Sequence, residues 1–291
     1  MDPVATANAE AIEAWNGVLF DRFVAFRHLV TGTPGAHGDA AMDASPPQPG
    51  DRVLDIGCGF GDASMQLAER VGPSGEVLGV DAAERFIETA EHEATAAAVP
   101  NVRFAVGDVQ HMDLESGFDY AFSRFGTMFF ANPAAALRNV REALRPGGRL
   151  CMVVWRQKPD NPWLHSAELV VERYLEEPEE TDEPTCGPGP FSMANADTTS
   201  GILVAAGFED IALQRSDLPY LMGRDLDEAI DLVMGLGPAG ELIRLAGDDA
   251  EELRPRLTAE LRDAISGYVE PDGVFSGSSA WIVTARAPAA T

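Results

Sequence analysis

Between residues 52 and 155 short β-branched runs alternate with helical stretches, and this alternation restricts the fold more than any other feature of the chain. Runs at 52–56 (RVLDI), 76–80 (EVLGV), 102–106 (VRFAV), 118–122 (FDYAF) and 149–155 (RLCMVVW) predict strands, while 62–71, 83–98 and 133–144 predict helices. Strands joined by helical crossovers form a parallel sheet covered on both faces. The last of these helices opens with Pro133 in its first turn and closes at "RPGG". The connection 107–117 reads as a loop. Runs at 208–216 (FEDIALQRS) and 280–287 (AWIVTARA) predict two further strands, an antiparallel pair at one edge. The expected fold class is α/β: a doubly wound, mostly parallel sheet with a terminal antiparallel strand and helical cap insertions, in one domain over 1–291.

The flanks are less regular. Ile12, Trp15, Leu19, Phe23, Phe26 and Val30 recur at three- and four-residue steps, which predicts one helix over 7–30 stopped by "TGTPG", with room for a short helix before "SPPQPG". Such a stripe ordinarily packs on a core, so Trp15 is assigned to packing rather than to a ligand. Two insertions interrupt the sheet. The first, 156–200, begins with a helix capped at Asn161-Pro162 and runs into "EEPEETDEPTCGPGP", read as a lid or surface loop. The second, 224–277, carries the helical patterns "LDEAIDLVMGL" and "EELRPRLTAELRDAI".

Charge narrows the partners. Lys and Arg total 21 against 47 Asp and Glu, a formal net charge of −26. That balance opposes the counterion release that drives nucleic-acid binding and repels anionic lipid, so a small-molecule partner is expected, with no nucleic acid and no membrane. Cys58, Cys151 and Cys186 are odd in number and dispersed, which implies neither a disulfide framework nor a metal site. The first ten residues, "MDPVATANAE", lack a basic and apolar leader, and no apolar run reaches membrane-spanning length. A reducing cytoplasm is the expected setting; oligomeric state is left open.

The stretch "VLDIGCGFGDAS" (53–64) places glycines at 57, 59 and 61 between two carboxylates, Asp55 and Asp62. In a dinucleotide-binding loop the third glycine stands five positions after the first and a pyrophosphate rests on the following helix. Here that position is Asp62, whose carboxylate is expected to satisfy the helix amides in the phosphate's place. Asp55 repels an anion further and favours an ammonium or sulfonium. The loop therefore suits a nucleoside with a cationic or zwitterionic tail. Asp81 ends the second strand, where an acid accepts hydrogen bonds from ribose hydroxyls, and Asp108 follows the third, where it accepts from an exocyclic amine.

In register, "VLDIGCGFG", "GVDAAERF", "GDVQHMDL", "FDYAFSRFGTMFF" and "LRPGGRLCMVVWR" resemble the successive motifs of class I S-adenosylmethionine-dependent methyltransferases of the menaquinone-methylase-like, small-molecule branch. The resemblance covers roughly Trp15 to Arg286. It implies a Rossmann-like fold and S-adenosyl-L-methionine as cofactor, with S-adenosyl-L-homocysteine as product. It further implies that Asp55 and the backbone of Gly57, Cys58, Gly59 and Gly61 hold the methionine end. Asp81 would bind the ribose, Ala82 would lie beside the adenine, Asp108 and Val109 would read its edge, Ser123 would line the methionine side, and the insertions would cap the substrate. The implied reaction is in-line methyl transfer to an O, N or C atom of a small metabolite, for which no universal catalytic residue is needed. Where the acceptor must lose a proton, the histidine candidates are His28, His111 and His165, with His165 preferred for its place on the first insertion; His92 is assigned to a helix surface and His37 to a flexible loop. Arg124, Phe125, Phe129 and Phe130 either flank the sulfonium or pack the sheet edge. An NAD-dependent oxidoreductase, disfavoured by Asp62, and a non-catalytic S-adenosylmethionine-binding protein stand as alternatives.

Overall fold

Burial on both faces accounts for the continuously apolar strands. The computed structural model describes residues 3–176 and 185–290. In it β1 (Arg52–Ile56), β2 (Glu76–Asp81), β3 (Val102–Val106), β4 (Phe118–Arg124) and β5 (Leu144–Trp155) run parallel. With β6 (Glu209–Gly223), β7 (Val269–Glu270) and β8 (Gly273–Arg286) they form one sheet in the order β3-β2-β1-β4-β5-β8-β6, β7 pairing with β8 off this path. Val53, Leu54 and Ile56 of β1 and Tyr120, Ala121 and Phe122 of β4 are fully buried. The antiparallel edge is as expected but longer, because β6 and β8 pair from Glu209 opposite Arg286 to Gly223 opposite Val274. The second insertion therefore ends before Gly273 rather than at 277. Neighbouring β1 and β4 leave in opposite directions across the sheet, which opens a crevice at their carboxyl ends.

Four helices precede the sheet: α1 (Pro3–Asn16), α2 (Val18–Ala25), α3 (Arg27–Val30) and α4 (Thr33–Ala44). The single helix expected over 7–30 is broken at Gly17 and Phe26, whose backbones leave the helical basin (φ −110°, ψ −114° and φ −104°, ψ 18°). The breaks bend the aromatic stripe, and Trp15, Phe20 and Phe23 cluster with Phe60 and Phe86 beside the glycine loop. "TGTPG" ends α3 as expected, with Thr31 at its C-cap, and also starts α4, whose first turn holds Pro34. His37, expected in a flexible loop, is fully buried on α4.

The crossover helices α5 (Asp62–Val71), α6 (Glu84–Ala96) and α7 (Pro133–Ala143) fall within two residues of expectation, and Asn132 caps α7 by accepting from the Ala135 amide at 3.0 Å. The first insertion holds α8 (Pro162–Val171), followed by α9 (Ala196–Ala206), which the sequence reading missed. Asn195 caps the Asp197 and Thr198 amides of α9, and Gly207 closes it at φ 87°. Asn161 is not the side-chain cap expected for α8. Its side chain clamps β8 instead, accepting from the Ser279 amide at 2.9 Å and donating to the Ser279 carbonyl at 3.0 Å. The second insertion forms α10 (Leu226–Gly235), α11 (Gly237–Ala246) and α12 (Asp248–Ile265), all packed on α8. Of the acidic stretch, 177–184 lies outside the described residues. No helix among the described residues is long and apolar enough to cross a membrane.

Candidate active site

The glycine loop is shaped by contacts that leave no room for side chains. The Gly57 and Cys58 amides donate to the Val80 carbonyl at 2.8 and 3.1 Å, folding the loop back onto β2. Gly57 has φ 65°, and a Cβ there would stand 2.9 Å from Gly126 Cα, so the loops after β1 and β4 meet at the switch point. At Gly61 (φ 79°) a Cβ would lie 2.9 Å from both Ala90 Cβ and the Phe104 ring. Gly61 thus provides the close packing of helix on sheet, and it does not itself line the cavity. That cavity, 790 Å³, opens at the strand ends and extends beneath α8, α10 and α11. Its size is within the ~300–1,000 Å³ typical of ligand sites.

One end of the cavity gathers the expected strand-end residues: Asp55, Gly57, Cys58, Gly59, Asp81, Ala82, Asp108 and Val109 all line it. Asp55 is 1% exposed; Ser64 Oγ donates to its Oδ2 at 2.6 Å, while Oδ1 has no partner among the described residues. Burial lifts its carboxyl to about 6, against the opposing effects of the Ser64 bond and Arg124. Asp81 accepts from the Gly59 and Ala83 amides, each at 2.9 Å, and burial raises its pKa as well. Each oxygen of a carboxylate keeps a further lone pair for a ligand hydroxyl. Asp108 forms an Asx turn with the Gln110 amide at 3.0 Å and also accepts from Asn8 Nδ2 of α1. The Cys58 thiol is 5% exposed and pushed far up by burial, as suits a packing residue rather than a nucleophile.

Three expectations need correction. Asp62 does not cap α5; its carboxylate pairs with Arg27 at 3.3 Å and lies 3.8 Å from Arg124. Ser123 stands behind the loop, buried, with its hydroxyl donating to the Ile56 carbonyl at 2.8 Å, and it does not line the cavity. Trp15, assigned to packing, is part of the cavity wall, edge-on to Phe129 at 4.9 Å between ring centroids. Arg124 also lines the cavity, its side chain crossing α4 where Gly38 leaves space.

At the other end of the cavity, where the insertions were expected to cap a substrate, only Phe125 of the aromatic lining was anticipated. Phe125, Trp155, Trp163 and Tyr220 form a continuous aromatic wall. Phe125 stacks on Trp155 (4.0 Å, 19°), Trp155 meets Trp163 edge-on (5.7 Å, 63°), and Trp163 stacks on Tyr220 (3.7 Å, 10°). None of the five histidines lines the cavity. His165 reaches it only through Glu168, whose Oε2 lies 3.5 Å from Nδ1. Glu168 is itself buried, lines the cavity and pairs with Lys158. His28 pairs with Glu228 at the surface, and His111 is exposed 3.9 Å from Asp108. His37 is held between the Ser216 and Ser278 hydroxyls, each at 2.9 Å, and burial lowers its pKa to about 4. Thr185 to Pro190, the described end of the acidic stretch, also border the cavity.

A family model described as a methyltransferase domain matches residues 47–197, from the entry to β1 into the start of α9. The chain belongs to the methyltransferase family. It is 36% identical over 114 residues to an aklanonic acid methyltransferase of Streptomyces sp. (strain C5), covering 39% of this chain and 52% of that one. It is 35% identical over 100 residues to a demethylmenaquinone methyltransferase of Staphylococcus aureus, covering 34% of this chain and 41% of that one. The matches thus span about half or less of the length of these relatives. In fold it is similar to phosphoethanolamine N-methyltransferase 2 of Haemonchus contortus, a structure in complex with S-adenosylhomocysteine, at a TM-score of 0.50 and 20% identity over 87% of this chain and 52% of that one. Membership brings S-adenosyl-L-methionine as cofactor and sets aside the nicotinamide alternative. The residues fit that cofactor: Asp55 Oδ1 is a buried anionic atom awaiting a donor, and Arg124 stands near it as a counter-charge for a carboxylate.

Proposed function

We propose that this protein transfers a methyl group from S-adenosyl-L-methionine to an oxygen, nitrogen or carbon atom of a small metabolite by in-line displacement. The observation that carries the reading is the unpartnered Oδ1 of Asp55 in a cavity shared by the strand-end acids and an aromatic wall. When bound, the cofactor supplies an electrophilic methyl carbon on a sulfonium. Asp55 holds its ammonium, Arg124 its carboxylate, Asp81 its ribose hydroxyls, and Asp108 with the Val109 amide its adenine edge. Ala82 lies beside the base, and Gly57, Cys58 and Gly59 supply the backbone floor. Phe125, Trp155 and Trp163 exclude water and align the acceptor. Glu168, oriented by Lys158 and His165, takes up the proton where the acceptor carries one.

Calorimetric titration tests the cofactor half: micromolar binding of S-adenosyl-L-methionine or S-adenosyl-L-homocysteine is expected, lost in Asp81→Ala. Incubating metabolite pools with methyl-labelled donor tests the transfer. No binding of either compound, or binding with no labelled product from any pool, refutes the respective half.

A further inference from the structure

We infer that the stacked pair Trp163–Tyr220 anchors an oxygen of the methyl acceptor, and that the acceptor is a planar, conjugated compound bearing a carbonyl or phenolate oxygen. The inference rests on the methyltransferase reading and assigns chemistry to the cap end of the same cavity. Trp163 stands in the first turn of α8 and Tyr220 on β6, so only the tertiary fold brings them together. Tyr220 is fully buried and Trp163 7% exposed, yet neither Trp163 Nε1 nor the Tyr220 hydroxyl has a hydrogen-bond partner among the described residues. Buried indole and phenol groups ordinarily find one. Elsewhere in this molecule the fully buried Tyr120 donates to the Ser45 carbonyl at 2.8 Å, and of the partly buried rings Tyr174 donates to Glu260 and Trp281 to the Ala194 carbonyl at 3.0 Å, while Tyr268 meets Ser166 at 3.2 Å.

The unpartnered polar atoms of the cavity divide by chemistry. At the glycine-loop end the atoms without a hydrogen bond are carboxylate oxygens, of Asp55 and of Asp62, the latter facing Arg124 at 3.8 Å; at the cap end they are the Trp163 N–H and the Tyr220 O–H. Indole nitrogen only donates, and burial raises the Tyr220 hydroxyl so that it stays protonated. Two donors side by side call for a hydrogen-bond acceptor from the ligand. The flat surface continued by Trp155 and Phe125 calls for a flat, apolar body attached to that oxygen. Discrimination comes from the donors, since a site built to hydrogen-bond an oxygen disfavours the same ring without it.

The test uses the full chain saturated with S-adenosyl-L-homocysteine and two probes, 2-hydroxy-1,4-naphthoquinone and naphthalene. Binding is read by tryptophan fluorescence and by calorimetry. The oxygenated probe is expected to bind at least tenfold more tightly than naphthalene. Tyr220→Phe and Trp163→Phe should each shrink that preference about fivefold or more and leave the affinity for S-adenosyl-L-homocysteine unchanged. Because the Tyr220 hydroxyl has no internal partner, Tyr220→Phe should melt no lower than the unaltered protein. Equal binding of naphthalene, an oxygen preference that survives both substitutions, a marked fall in melting temperature for Tyr220→Phe, or no probe binding to the saturated protein each overturns the inference. Failure of S-adenosyl-L-homocysteine itself to bind refutes the underlying methyltransferase reading instead.

Discussion

Replacing Asp55 by Asn should make the free protein more stable and the cofactor complex weaker. The carboxyl moves from an ordinary 3.8 to about 6 in the folded protein, chiefly through burial. A raised carboxyl pKa means that the ionised form is disfavoured by folding: the cost is absent below the unfolded value and complete above the folded one. At pH 7.5 that cost is about 3 kcal/mol, from roughly two units at ~1.4 kcal/mol each. Asn keeps an acceptor for the Ser64 hydroxyl but carries no charge, so the free variant should melt about 6 °C higher, at ~2 °C per kcal/mol. On the proposed assignment the same change removes the partner of the cofactor ammonium, and affinity for S-adenosyl-L-homocysteine should fall by about ten- to a hundredfold. In the unaltered protein the affinity should drop about tenfold between pH 7 and pH 5 as Asp55 takes up a proton, while the variant stays flat over that range. Differential scanning fluorimetry without ligand and calorimetry at several pH values read both effects. A variant that melts lower and binds as well as its parent, or a parent whose affinity ignores pH, refutes the assignment of Asp55 as a buried, ligand-compensated charge.

Three further expectations concern the scaffold. His37 is depressed to about 4 from an ordinary 6.5, so its neutral form supports the fold above 6.5 and that support is lost as pH falls towards 4; the loss from pH 7 to 5 should be about 2 kcal/mol in urea titrations. Asp55 acts in the opposite direction in this window, so the His37 contribution is read as the difference between the protein and His37→Asn, and equal pH slopes would exclude it. Gly61→Ala should cost about 1–3 kcal/mol, because it adds a Cβ at a left-handed position 2.9 Å from Ala90 and Phe104; an unchanged urea midpoint contradicts the close packing. Asn161→Ala should cost about 2 kcal/mol by leaving the Ser279 amide and carbonyl without their partner, with S-adenosyl-L-homocysteine affinity preserved; a loss of that affinity would tie the clamp to the cofactor end.

The parallel strands were legible because strands buried on both faces must be apolar throughout, and the crossover helices because Pro133 and the glycines punctuate them. The strand-end acids followed from topology: once β1, β2 and β3 are parallel neighbours, Asp55, Asp81 and Asp108 share one rim. The breaks at Gly17 and Phe26 were hidden because the apolar stripe runs through them without a change of period. Helix α9 was hidden because "TTSGILVAA" is apolar without a clear face, although Asn195 and Gly207 mark its ends. His37 gave no sign of burial, for its two serine partners lie 179 and 241 residues away in sequence. The aromatic wall was beyond reach for the same reason. Only Phe125, expected beside the sulfonium or at the sheet edge, hinted at it.

The bond from Asn8 to Asp108 ties the opening helix to the acid at the end of the third strand. On the proposed reading a base docking its exocyclic amine on that carboxylate would share it with the Asn8 amide. The opening helix is thereby joined through one side chain to the proposed nucleoside end of the cavity, and its attachment would share an acid with the ligand.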